Sequence, residues 1–102
     1  MGIDLAAMSV ADPAAVKNLS MSWDIGIFIF DLCGAPFHQD VGVTSADQAA
    51  HYAGCIWRSL NDGEFERVFA TSECGWSIDD VRGAVEEYAA FCEHCGGYDM
   101  WV

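Results

Sequence analysis

The residues of this chain best suited to metal or covalent chemistry are its thiols, imidazoles and carboxylates. Cys92-Glu93-His94-Cys95 is a Cys-x-x-Cys pair with an imidazole inside it. A structural zinc site needs four nitrogen or sulfur ligands, and Cys33, His38 and Cys74 are the remaining candidates. The usual second Cys-x-x-Cys or His-x-x-x-His pair is absent from the sequence. Cys92 and Cys95 also continue an apolar stripe, and a free cysteine packs as a small buried hydrophobe. A redox Cys-x-x-Cys normally opens a helix, where the dipole lowers the thiol pKa, whereas this one falls at a helix end. The pair therefore reads as core packing, with a small Cys-based zinc-binding domain as an alternative.

For catalysis the available parts are Asp31, His38, Asp40, His51 and the cysteines. Asp31 interrupts an apolar run near its end, and a small-ligand enzyme built on Asp31 and His38 is a further alternative. The sequence holds no Gly-x-Ser-x-Gly, phosphate loop or His-Glu-x-x-His. It points to no catalytic residue and to no cofactor.

Carboxylates are the dominant chemical feature. Sixteen acidic residues stand against four basic ones in 102 positions, a formal net charge of −12, yet 53% of the residues are apolar. Disordered acidic tails combine high charge with low hydrophobicity; this composition instead predicts one folded domain with a strongly negative exterior. Such a surface repels nucleic acids and anionic membranes and favours cations or basic proteins. The charge is lopsided: residues 62–102 carry ten acids and two arginines, residues 1–61 six acids and two basic residues. On a helix over 78–95, Asp79, Glu86 and Glu93 fall within about 40° of one another, with Asp80 and Glu87 in a second row. Glu64, Glu66 and Glu73 extend the same acidic region. Asp79 and Asp80 also suit a helix N-terminus through the macrodipole, a structural role that needs no partner. Trp76, between Gly75 and Ser77, is a candidate interface anchor, since Trp is enriched at such sites.

The elements that must position these residues follow from periodicity and punctuation. Ile25–Leu32 is a near-continuous β-branched and aromatic run and predicts a central strand. Gly34-Ala35-Pro36 turns the chain, and 37–43 is expected to return as an antiparallel partner. Ser45 and Gln48 form a capping box that opens a helix over 45–61, closed by Asn61-Asp62-Gly63. Phe65–Thr71 fits either period, and its close bounds favour a strand. Ser77 opens the most regular helix, whose stripe runs through Ile78, Val81, Val85, Tyr88, Cys92 and Cys95 and stops at Gly96-Gly97. Residues 98–102 read as a short closing strand. Asp12-Pro13 signals a short helix over 13–19, and residues 1–22 read as peripheral, with Met21 as a second possible translation start. The expected fold is α+β: a small antiparallel sheet centred on 25–32, packed against two main helices.

The five cysteines, an odd number, argue against a disulfide framework. The first acids, Asp4 and Asp12, precede the first basic residue, Lys17, unlike a signal peptide. No apolar run approaches the ~20 residues that span a bilayer. The expected compartment is the cytoplasm.

In its size, its charge and its acidic helix face the chain resembles very small phage-encoded inhibitors of host defence, among them anti-CRISPR proteins and DNA-mimic anti-restriction proteins. The resemblance implies a non-catalytic inhibitor acting in the cytoplasm of the infected cell. It implies a basic protein partner, such as a CRISPR effector complex, bound at its nucleic-acid-binding surface. Asp79, Asp80, Glu86, Glu87 and Glu93, with Glu64, Glu66, Glu73 and Trp76, would then form the contact. An immunity protein or antitoxin neutralising a basic nuclease rests on the same electrostatics and stays open beside it.

Overall fold

Ser22, Ser45 and Ser77 each stand in extended backbone and accept, through Oγ, the amide N–H three residues on. The partners are Ile25, Gln48 and Asp80, at 3.3, 3.3 and 3.2 Å. Each bond satisfies one of the orphan donors of a first helical turn. The computed structural model of the chain describes residues 2–8, 18–37, 42–72 and 75–101. In chain order the elements are β1 (Gly2–Ala7), β2 (Asn18–Ser22), α1 (Trp23–Cys33), α2 (Ala46–Asp62), α3 (Glu64–Thr71), α4 (Ile78–His94) and β3 (Tyr98–Trp101).

The architecture is α+β, with an antiparallel three-stranded sheet in the order β2-β1-β3 packed against the helices. The sheet is not centred on 25–32. That segment is α1, and the central strand is β1, where Ile3 and Leu5 point inward at 0% and 1% exposure while Gly2 and Asp4 point out. The alternation in Gly-Ile-Asp-Leu is the period-2 signature of a strand with one buried face. The described part of the first 22 residues therefore supplies two of the sheet's strands, against the expectation that this region is peripheral. Asn18 and Leu19 belong to β2 rather than to the end of a helix; Asp12, Pro13 and the rest of 9–17 lie outside the described residues.

The helix over 23–33 has identifiable causes. Ser22 caps it, Asp24 sits in its first turn, and Gly34 closes it at φ 82° with its N–H on the Phe30 carbonyl at 2.8 Å. Only glycine enters that left-handed region without a Cβ penalty. Ile25, Phe28 and Ile29 face the core, and Asp24 and Asp31, seven residues apart, face solvent. Periodicity cannot separate a buried strand from a buried helix in so apolar a run. Its length and caps decide for helix.

Residues 64–71 are also helical. Gly63, at φ 87°, ends α2 and begins α3. Phe65 and Phe69 lie one turn apart with their rings 6.4 Å apart, and the Phe28 ring meets them edge-on at 5.5 and 6.2 Å. In a strand Phe65 and Phe69 would share a face but stand about 13 Å apart, so bringing both rings together onto α1 requires the helical period, which overrides the weak strand preference of the sequence. Of the expected strand over 37–43, Val43 makes an isolated bridge to Tyr98, with N–H···O contacts of 3.0 and 2.6 Å; residues 38–41 lie outside the described residues.

The helices expected over 45–61 and 78–95 and the closing strand at 98 are present as α2, α4 and β3. Tyr88 of α4 and Tyr98 of β3 are both buried and join hydroxyl to hydroxyl at 2.7 Å. The Phe37 ring meets Tyr88 at 5.5 Å, and Phe91 meets Tyr98 at 5.9 Å. This aromatic cluster locks α4 to the sheet and fixes which of its faces meets water. No helix among the described residues is long and apolar enough to cross a membrane.

Candidate functional site

The stripe Val81, Val85, Tyr88, Ala89 and Cys92 is buried, so the rotation of α4 about its axis is set by the core. Asp79, Asp80, Glu87 and Glu93 are consequently exposed and Glu86 half-buried. The two expected rows exist, and the fold divides them by position: Asp79 of the first row shares its surroundings with Asp80 and Glu87 of the second. One flank faces α2, where the Trp57 indole N–H donates to the Glu93 carboxylate. The other flank faces β2, where Asp79, Asp80 and Glu87 border a groove of about 510 Å³.

The acids of α3 are placed differently. Arg67 pairs with Glu64 within that helix. Arg82 of α4 reaches Glu66 at 2.6 Å and lies over the Phe65 ring, 4.8 Å from its centre. The hydrogen bond from Arg82 holds the Glu66 carboxyl below its ordinary range. Exposed pairs of this kind contribute little to stability, but they cancel charge locally. Glu64 and Glu66 therefore do not extend an unopposed patch. Among the described residues, no cation lies within ion-pair distance of Asp79, Asp80, Glu86 or Glu87. Glu73 lies outside the described residues.

Trp76 is 45% exposed, as an interface anchor requires, and it stands in the wall of the groove. Met21 of β2 and Ile25 at the start of α1 also line the groove. Sequence reasoning missed these two, and no local signal marks them. They reach the acidic helix only because β2 lies on the outside of the sheet.

The thiol chemistry is buried. Cys92 and Cys95 are both inside, and Cys33 is half-buried. The Cys95 thiol is held down to about 7 because Cys92 donates to its sulfur, while the same hydrogen bond and burial push Cys92 up. Burial pushes Cys33 up to about 12. Both thiols lie within the buried core cluster and pack there as small hydrophobes. No group of three or more His, Cys, Asp or Glu side chains among the described residues is arranged to hold a metal ion. Cys74 and His38 lie outside them.

Asp31 is exposed on α1, so it does not end a buried strand as expected. The His51 ring is exposed on α2, with Nε2 3.6 Å from Cys55 Sγ. Asp31 and His51 are not brought together with the acidic face, and Asp40 lies outside the described residues. Comparison with protein-family models, with curated proteins and with solved structures found no match to this chain.

Proposed function

We propose that this protein acts by binding and not by catalysis: the acidic face of α4 docks on a basic, nucleic-acid-binding surface of another protein and occupies it. The observation that carries this reading is the set Asp79, Asp80, Glu86 and Glu87, held on one rigid helix with no described cation in ion-pair range. The described arginines are engaged elsewhere, Arg67 with Glu64, Arg82 with Glu66, and Arg58 with the Cys55 sulfur at 3.4 Å. Each row repeats every seven residues, about 10 Å along the axis, so its like charges repel one another at a distance. A field maintained against that repulsion attracts a surface of opposite sign and speeds encounter with it. The nucleic-acid channel of a CRISPR effector complex is a surface of this kind, and the active face of a basic nuclease is another.

The test is a pull-down from a host lysate across a salt gradient, with wild-type protein and with E86K/E87K. The wild type is expected to retain basic nucleic-acid-binding proteins at low salt and to release them as the Debye length falls below about 8 Å. The captured partner should bind its nucleic acid less well while this protein is present. Both reversed residues lie outside the buried stripe, so the fold should survive. Equal retention by wild type and variant at low salt overturns the reading.

A further inference from the structure

The groove between β2 and α4 combines three properties that the rest of the acidic surface lacks. Its α4 rim carries Asp79, Asp80 and Glu87, none with a described cation partner. Trp76 stands 45% exposed in its wall, and Met21 and the core residue Ile25 also line it. Its remaining wall is β2, which among the described residues pairs on one side only, with β1. The main-chain groups on the far side of β2 are thus a sheet edge without a ladder. Sheet edges template an added extended chain.

We infer that this groove takes an extended, arginine-bearing segment of the basic partner, laid beside β2 with a guanidinium between Trp76 and the three carboxylates. The inference rests on the proposed function and names the point of contact. Charge complementarity selects the occupant. An acidic segment meets three carboxylates, and a purely apolar one leaves them desolvated and unpaired, which is costly. A guanidinium satisfies both walls, since it stacks on an indole face and donates in a planar fork to carboxylates. The volume of about 510 Å³ lies in the range of pockets that bury a ligand of several side-chain groups. Glu87 lies more than a turn beyond the helix N-terminus, outside the reach of the positive dipole end that offsets Asp79 and Asp80. It should therefore be the strongest single contributor.

The experiment uses the full chain and a short fluorescein-labelled peptide of alternating arginine and threonine, followed by anisotropy at low salt. Its glutamate–threonine counterpart serves as the control. The arginine peptide should bind and the glutamate peptide should not. Trp76→Ala should weaken binding about five-fold, and D79N/D80N/E87Q about ten-fold or more. E86Q/E93Q, which removes the carboxylates that share a row with Asp79 but do not line the groove, should change it less than about two-fold. Amide chemical shifts of the wild type on titration should move at Ser20–Ser22 and Gly83, a readout that depends on no variant folding. If E86Q/E93Q weakens binding as much as the groove variants, or if shifts spread evenly over α4, the groove inference falls while the broader acidic-surface reading stands. If the arginine peptide fails to bind wild type at low salt, the groove inference also falls. The lysate experiment with E86K/E87K then judges the proposed function by itself.

Discussion

Removing one hydroxyl from the buried Tyr88–Tyr98 pair should destabilise the protein more than removing both. The two oxygens are 2.7 Å apart, and the rings are 0% and 1% exposed. In Tyr88→Phe the Tyr98 hydroxyl keeps its burial and loses its strong partner. An unsatisfied buried hydroxyl costs about 1–3 kcal/mol. Tyr98→Phe leaves Tyr88 in the same position, with the Cys92 thiol beside it as a weak substitute. The double variant Y88F/Y98F removes donor and acceptor together, which is nearly neutral when shape is kept. Additive behaviour predicts a loss of about 2–6 kcal/mol for the double variant; the structure predicts less than the worse single variant. Against a total stability of about 5–15 kcal/mol, each single change should lower Tm by about 4–8 °C per kcal/mol lost. Urea unfolding at neutral pH, followed by far-UV circular dichroism, measures all three with an unchanged slope if the transition stays two-state. A double variant as unstable as the sum of the singles refutes the hydroxyl pairing. The rotation of α4 that puts Asp79 and Glu87 at the groove would then rest on its buried stripe alone.

Truncation to a chain starting at Met21 deletes β1 and should abolish folding, because it removes Ile3 and Leu5 from the core at about 1.5–3 kcal/mol each; dispersed amide resonances from the truncated chain would contradict this. Gly26→Ala places a Cβ 2.4 Å from Ile3 Cδ1 and should cost about 1–3 kcal/mol of overpacking despite better helix propensity, with Ile3→Val recovering part of it; a stabilised G26A in thermal melts would show that α1 and β1 are further apart than described. Stability should decline above pH 9. The thiols of the unfolded chain ionise near 9.0 and its tyrosines near 10.0, while burial keeps Cys33 protonated to about 12 and raises Tyr88 and Tyr98. For each such group the contribution is whole below the unfolded value and is lost at about 1.4 kcal/mol per pH unit as pH rises toward the folded one. Cys95, held near 7, has the opposite sign and adds stability between about pH 7 and pH 9. Urea midpoints that stay level well above pH 9 would contradict this burial.

Local chemistry made part of this protein legible from its residues alone. The capping serines Ser45 and Ser77, the glycines that follow α2 and α4, and the regular stripe from Val81 to Cys92 depend on neighbours within a turn or two, so the sequence marks α2 and α4 and, with them, the two carboxylate rows. The α+β class was expected from a sheet centred on 25–32; the sheet that makes the class right is built instead from β1, β2 and β3. The segment 25–32 is different: a run apolar on every side is compatible with either period, and its length and its caps at Ser22 and Gly34 decide for helix. The Asp24 and Asp31 spacing, beside Ser22 and Gly34, was a local hint of that. Tertiary structure decided which carboxylates keep an open field. Arg82 is on α4 in sequence, yet it crosses to Glu66 and Phe65 of α3, and Trp57 of α2 reaches Glu93. The groove exists only because an edge strand from the first quarter of the chain lies beside a helix from the last. Contacts between residues so distant in sequence leave no periodic trace, since what sets them is the closing of the whole core and not the preference of any one segment.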